Sequence, residues 1–123
     1  MTTLQRDNLL HMTRYGWLVS NGNVLASAEL ATSHTDRGKG LLGRDGVAGA
    51  LVLDRTRWVH TIGMKFPIDV AHLDGEGMVL RVTHMAPNRI GSYVHAAARV
   101  VEAEAGAFER WGLKPGDRVE LRE

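Results

Sequence analysis

The chain has no cysteine among its 123 residues. Thiol catalysis, disulfide staples and thiolate metal sites are therefore excluded together. Long apolar runs are missing too. The longest, Ala50 to Leu53, is far shorter than the roughly 20 residues a membrane-spanning helix needs. An excess of one charge sign is also absent: 15 basic residues face 14 acidic ones, for a net charge of +1. That balance gives no electrostatic reason to expect nucleic acid or an anionic membrane as partner. The first residues hold Arg6, Asp7 and His11 and show no apolar stretch followed by a small-residue cleavage site. No signal peptide is expected, and a soluble cytoplasmic protein is the default.

What is present is ordinary for a globular domain: 44% apolar and 24% charged residues. The length predicts one domain spanning residues 1–123, large enough to bury a core. Turn signals come often, and the segments between them are short. Asn21-Gly22 separates Gly16-Trp17-Leu18-Val19 from Val24-Leu25-Ala26, a two-residue hairpin pattern within an N-terminal hairpin region over residues 1–30. Asp74-Gly75 is expected to do the same between Ile68–Leu73 and Met78–Val82. Lys114-Pro115-Gly116-Asp117 reads as a turn before Arg118–Leu121, with Asp117 capping its own backbone. Ala50–Leu53, Arg57–His60 and Ala98–Glu102 bring the expected strands to seven or eight. Two short helices interrupt them. Ser33 and Asp36 form a capping pair for one that runs to about Leu42 and stops at Gly43. Ala107–Trp111, with Gly112 behind it, is the other. The predicted fold is mainly β with two short helices (α+β), a compact and mostly antiparallel sandwich or barrel.

The densest chemistry lies in Trp58-Val-His60-Thr61-Ile-Gly63-Met64-Lys65-Phe66-Pro67-Ile68-Asp69. It reads as buried strand, yet carries an imidazole, a hydroxyl and a carboxylate. Such groups are costly to bury unpaired, so they mark a pocket or a structural network. Ile68–Leu73 is apolar on both faces and is expected to be central. Alternation puts Asp69 on the face of Ala71 and Leu73, pointing inward, and His72 on the other.

At these residues the chain resembles a bacterial and archaeal family, the domain-of-unknown-function 192 family. The resemblance covers about residues 31–121. It rests on Arg37-Gly38-Lys39-Gly40-Leu41-Leu42-Gly43-Arg44, on the His60–Asp69 block, and on Asp74-Gly75 with Pro87 after it. Its last block is Val101-Glu102-Ala-Glu-Ala105-Gly106 leading to Gly112–Asp117. The second block departs from the commoner pattern, which has Trp-Met-x-Asn-Thr before Leu-Asp; here His60 is added. Many relatives carry export signals. The resemblance implies a β-rich fold and assigns no catalytic residues.

Gly38-x-Gly40-x-x-Gly43 matches the dinucleotide fingerprint in letters only, because no strand feeds its first glycine. No cofactor is expected. His60, His72, His84 and His95 lie 12, 12 and 11 residues apart, with no close ligand pair. No metal is therefore expected, although His60 with Asp69 would be the pair to hold one. Met64, Met78, Met85, Phe66 and Trp58 read as core filler before a ligand groove. Glu102 and Asp117 are placed beside turns. The resulting expectation is a binding or interaction module for an unknown small molecule or protein. Its polar pocket would be drawn from Arg37, His60, Thr61, Met64, Lys65 and Asp69. The alternative is a hydrolase-like enzyme with His60 and Asp69 as base and orienter and Arg37 or Lys65 as anion anchor, and a third reading is a metal-binding protein.

Overall fold

The structure, a computed structural model, describes residues 14–123. The start of the expected 1–30 hairpin region, and the segment read for a signal peptide, lie outside these residues. The elements run β1 (Arg14–Ser20), β2 (Asn23–Ala31), α1 (His34–Lys39), β3 (Ala50–Asp54), β4 (Ile68–Leu73), β5 (Val79–Met85), β6 (Arg99–Glu104), α2 (Ala107–Trp111) and β7 (Val119–Arg122). The strands form one sheet in the order β5-β4-β6-β3-β2-β1-β7. Its neighbours pair antiparallel except β2 with β3. Of the two arrangements expected, sandwich or barrel, the single sheet curls toward the barrel.

The curl is held where the sheet's ends meet. Met78 bridges Arg118, Val79 N–H donates to Asp117 O at 2.8 Å, and Val119 N–H donates to Gly77 O at 2.8 Å. A Cβ on Gly77 would sit 2.3 Å from Val119 O, so only glycine permits this approach. The concave face buries Leu18, Leu30, Val52, Leu73, Val79, Val101, Phe108 and Val119 in one cluster. The opposite face buries Leu51, Leu53, Ile68, Val70 and Val100 under Leu41, Val59, Met64 and Met85. Both faces of β4 are covered, so all six of its residues are buried.

Local chemistry explains the elements. The β1–β2 loop is Asn21-Gly22 at φ 52° and 80°, the left-handed pair a tight hairpin needs. Ser33 caps α1 by accepting from Asp36 N–H at 3.0 Å. Asp117 accepts from Lys114 N–H at 3.0 Å within its own turn.

Three local expectations need correction. The β4–β5 connection is longer than a two-residue turn. Asp74 Oδ1 accepts from both Glu76 N–H and Met78 N–H at 2.9 Å, which draws Asp74–Met78 into one loop with Gly77 at positive φ. The first helix stops at Lys39, because Gly40 turns the chain at φ 51°. Arg57–His60 is not a strand. Residues 55–67 form a loop with only a His60–Ile90 bridge, and Gly63 bends it at φ 82°. That loop lies against residues 86–98 and, with α1, covers the outer face of the sheet. Among the described residues no helix is long and apolar enough to cross a membrane.

Candidate functional site

The loop chemistry separates the residues grouped by sequence. Thr61 is fully buried. Its hydroxyl donates to Ala86 O at 2.6 Å and accepts from Arg89 N–H at 2.9 Å. Thr61 N–H donates to Arg89 O and Asn88 N–H to Thr61 O, both at 2.8 Å. Thr61 therefore pins the 55–67 loop to the 86–98 loop. Asp69 lies on the concave face. Its Oδ2 accepts from Gly106 N–H at 3.0 Å and Phe108 N–H at 3.2 Å, and its Oδ1 lies 3.2 Å from His84 Nδ1. The carboxylate thus satisfies donors at the start of α2, which has no side-chain cap of its own. Lys65 is exposed and pairs with Asp45 at 3.1 Å. Arg37, His60 and Met64 line one cavity; Thr61, Lys65 and Asp69 do not.

That cavity, about 180 Å³, lies between α1 with the residues that follow it and the 55–67 loop. Leu41, Leu42, Trp58 and Ile62 give it apolar walls, and Arg37, Lys39 and His60 bring polar groups to it. His60 is exposed; its Nδ1 accepts from Ile62 N–H at 3.2 Å, and its ring lies 5.8 Å from that of Trp58. Glu102 also lines the cavity, although only 3% of it is exposed.

Glu102 stands at the centre of the sheet, paired across to Leu51 on β3 and Val70 on β4. Its Oε1 is buried without a hydrogen-bond partner. The nearby Arg44 is engaged by Glu29 through contacts of 3.2 and 2.9 Å. Burial pushes the Glu102 carboxyl up to about 7, against a smaller opposing pull from Arg44. The chain makes room for it: a Cβ on Gly40 would lie 3.3 Å from Oε1, in a residue already held at φ 51°.

The sequence places Glu102 beside a turn and outside the expected pocket. The signal was present in Val100-Val101-Glu102-Ala103, where a carboxylate interrupts an apolar strand and alternates onto the face of Val100. His72 is a second buried group on that face, with neither ring nitrogen hydrogen-bonded. Burial, aided by the Arg81 charge, lowers its pKa against a smaller opposing pull from the Arg57 backbone. Among the described residues no three His, Asp or Glu side chains gather in a way that would hold a metal ion.

A curled β-sheet with a small, mostly apolar cavity on its outer face defines a small β-rich domain. The chain belongs to the DUF192 family, described as "Uncharacterized ACR", whose profile matches residues 17–121. The match begins at Trp17 and so takes in the β1–β2 hairpin. Two solved structures share the fold. One, a protein of unknown function from Novosphingobium aromaticivorans, aligns with a TM-score of 0.74 at 19% identity, covering 88% of this chain and 84% of that one. The other, a "putative transcription regulator" from Sinorhizobium meliloti, aligns with a TM-score of 0.72 at 24% identity, covering 90% and 95%. No curated protein matches the chain.

Proposed function

We propose that the protein is a small-molecule binding module whose site is the Glu102 cavity. One observation carries this reading: Glu102 lines the cavity, and its buried Oε1 has no hydrogen-bond partner in the chain. Buried acceptors are almost always paired, so an orphan on a cavity-lining residue is a place where a ligand donor, displacing water, can bind. The apolar walls would hold the ligand's body, while Glu102 would accept from an amine, amide or hydroxyl. Of the residues expected at a pocket, Arg37, His60 and Met64 contribute to this one. The reading keeps a cytoplasmic location and no nucleic-acid partner, the latter supported by the net charge of +1.

A second reading, an acid–base enzyme, has its own support. A carboxyl near pH 7 is poised to give and take a proton, and the exposed imidazole of His60 lines the same cavity. A thermal-shift screen of small amines, amides and polyols against the wild-type protein and Glu102→Leu tests the binding reading. Hits that stabilise the wild type and lose their effect in the variant are expected. Hits that act equally on both would place binding elsewhere. Turnover of a hit would move the second reading ahead.

A further inference from the structure

Beside the Glu102 cavity lies a wider, shallower groove of about 690 Å³ that shares Arg37 and Trp58 with it. Its wall adds Arg55, Arg57 and His34 and contains no Asp or Glu. The three guanidiniums have neutral partners only. Arg37 Nη1 donates to Arg55 O at 3.2 Å and Asp54 O at 3.4 Å. Arg55 Nη2 donates to Thr32 O at 3.4 Å, and Arg57 Nε donates to Ala97 O at 3.2 Å. Among the described residues none of the three has a carboxylate within 4.0 Å, whereas six other arginines do. The nearby carboxylate of Asp54 is engaged by Arg99 at 2.9 Å.

Three like charges on one concave wall repel one another, and with no acid on that wall the field there is positive. The guanidinium fork matches the oxygens of a phosphate better than any other side chain does. We propose that this groove binds the phosphate group of a small phosphorylated molecule. This site is separate from Glu102, and its occupant would reach the Glu102 cavity past Arg37 and Trp58 if the proposal above also holds. Several charges gathered at one point favour a multiply charged phosphate over a single carboxylate. A nucleic acid is the poorer fit, because backbone binding needs a track of basic residues and a larger charge excess than this chain carries.

The groove can be read directly by NMR of the arginine Nε–H groups during titration with inorganic phosphate, then with methyl phosphate, at low salt. Saturable shifts are expected with both probes, and tighter binding of methyl phosphate would point to a phosphate ester as the natural ligand. Arg55→Gln and Arg57→Gln should each weaken binding about tenfold, the scale of one charge-assisted contact. Both residues are exposed, and an unchanged core methyl spectrum would show the variants folded. Absence of saturable shifts, or shifts untouched by both variants, would overturn the proposal. So would a single-stranded oligonucleotide that binds the same arginines more tightly per phosphate. The Glu102 titration, followed in the same samples, separates the two readings. Its midpoint near 7 without phosphate binding would sink the groove alone. Phosphate binding with Glu102 titrating as an ordinary carboxyl would support the groove and count against the cavity.

Discussion

Glu102→Gln should change how stability depends on pH. The carboxyl titrates at about 7 in the folded chain, against an ordinary 4.5 when unfolded. Below pH 4.5 both states hold the proton, and its contribution to stability is fully present. Between 4.5 and about 7 the unfolded chain releases the proton while the folded chain keeps it. Each pH unit in that window then removes about 1.4 kcal/mol of stability. Across the whole window the loss comes to about 3 kcal/mol, and above it the loss is constant. Other groups titrate nearby. His72 has a lowered pKa, so its contribution is present above its ordinary 6.5 and is lost as pH falls, opposite in sign to Glu102. The quantity to measure is therefore a difference. Urea unfolding of wild type and Glu102→Gln from pH 4.5 to 8.5 cancels His72 and isolates the carboxyl. The variant should gain on the wild type by about 3 kcal/mol as pH rises through the window. A difference that stays constant to about 0.5 kcal/mol would mean that Glu102 is solvated and that the cavity reasoning fails.

Asp69→Ala should cost about 2–4 kcal/mol in urea unfolding, because the first N–H groups of α2 lose their acceptor in a buried place. His60→Ala should cost under about 1 kcal/mol, since an exposed ring is removed. Equal losses would contradict the separation of the two residues onto different faces of the sheet. Thr61→Val keeps the shape but strands Ala86 O and Arg89 N–H; it should cost about 1–3 kcal/mol and raise hydrogen exchange in residues 86–91. Unchanged exchange there would show that the two loops hold together without it.

Much of this fold was legible because local chemistry and tertiary packing agree. Asn21-Gly22 could hardly be anything but a tight turn, and the unbroken apolar character of Ile68–Leu73 announced a strand covered on both faces. Arg57–His60 misled because its alternation has the strand period, although its backbone partners are the scattered Ile90, Gly91 and Val94. Asp74-Gly75 misled because the Asp74 carboxylate reaches Met78, three residues past Gly75, and sets a longer loop.

The site was half legible for a related reason. Arg37, His60 and Met64 are brought to one cavity by α1 and a loop, and both stood out as polar or motif-bearing segments. Asp69 was expected to face inward, and it does, but its partners His84, Gly106 and Phe108 follow from strand register and the placement of α2. No spacing along the chain encodes those. Glu102 escapes a reading by sequence because a carboxylate near a turn is usually solvated; its burial comes from β3 and β4 flanking it and from Gly40, just past α1, beside its carboxylate.

The most direct test of the Glu102 cavity as a ligand site joins two NMR readouts, the Met64 methyl signal and the Glu102 carboxyl carbon. Small donor probes, namely methylammonium, guanidinium and formamide, would be titrated up to about 50 mM, the range where weak fragments bind. The predicted result is a free-protein Glu102 midpoint near 7, a saturable Met64 shift with at least one probe, and a fall in that midpoint when a cationic probe binds. A Glu102 midpoint near 4.5 together with no saturable Met64 shift from any probe would contradict it.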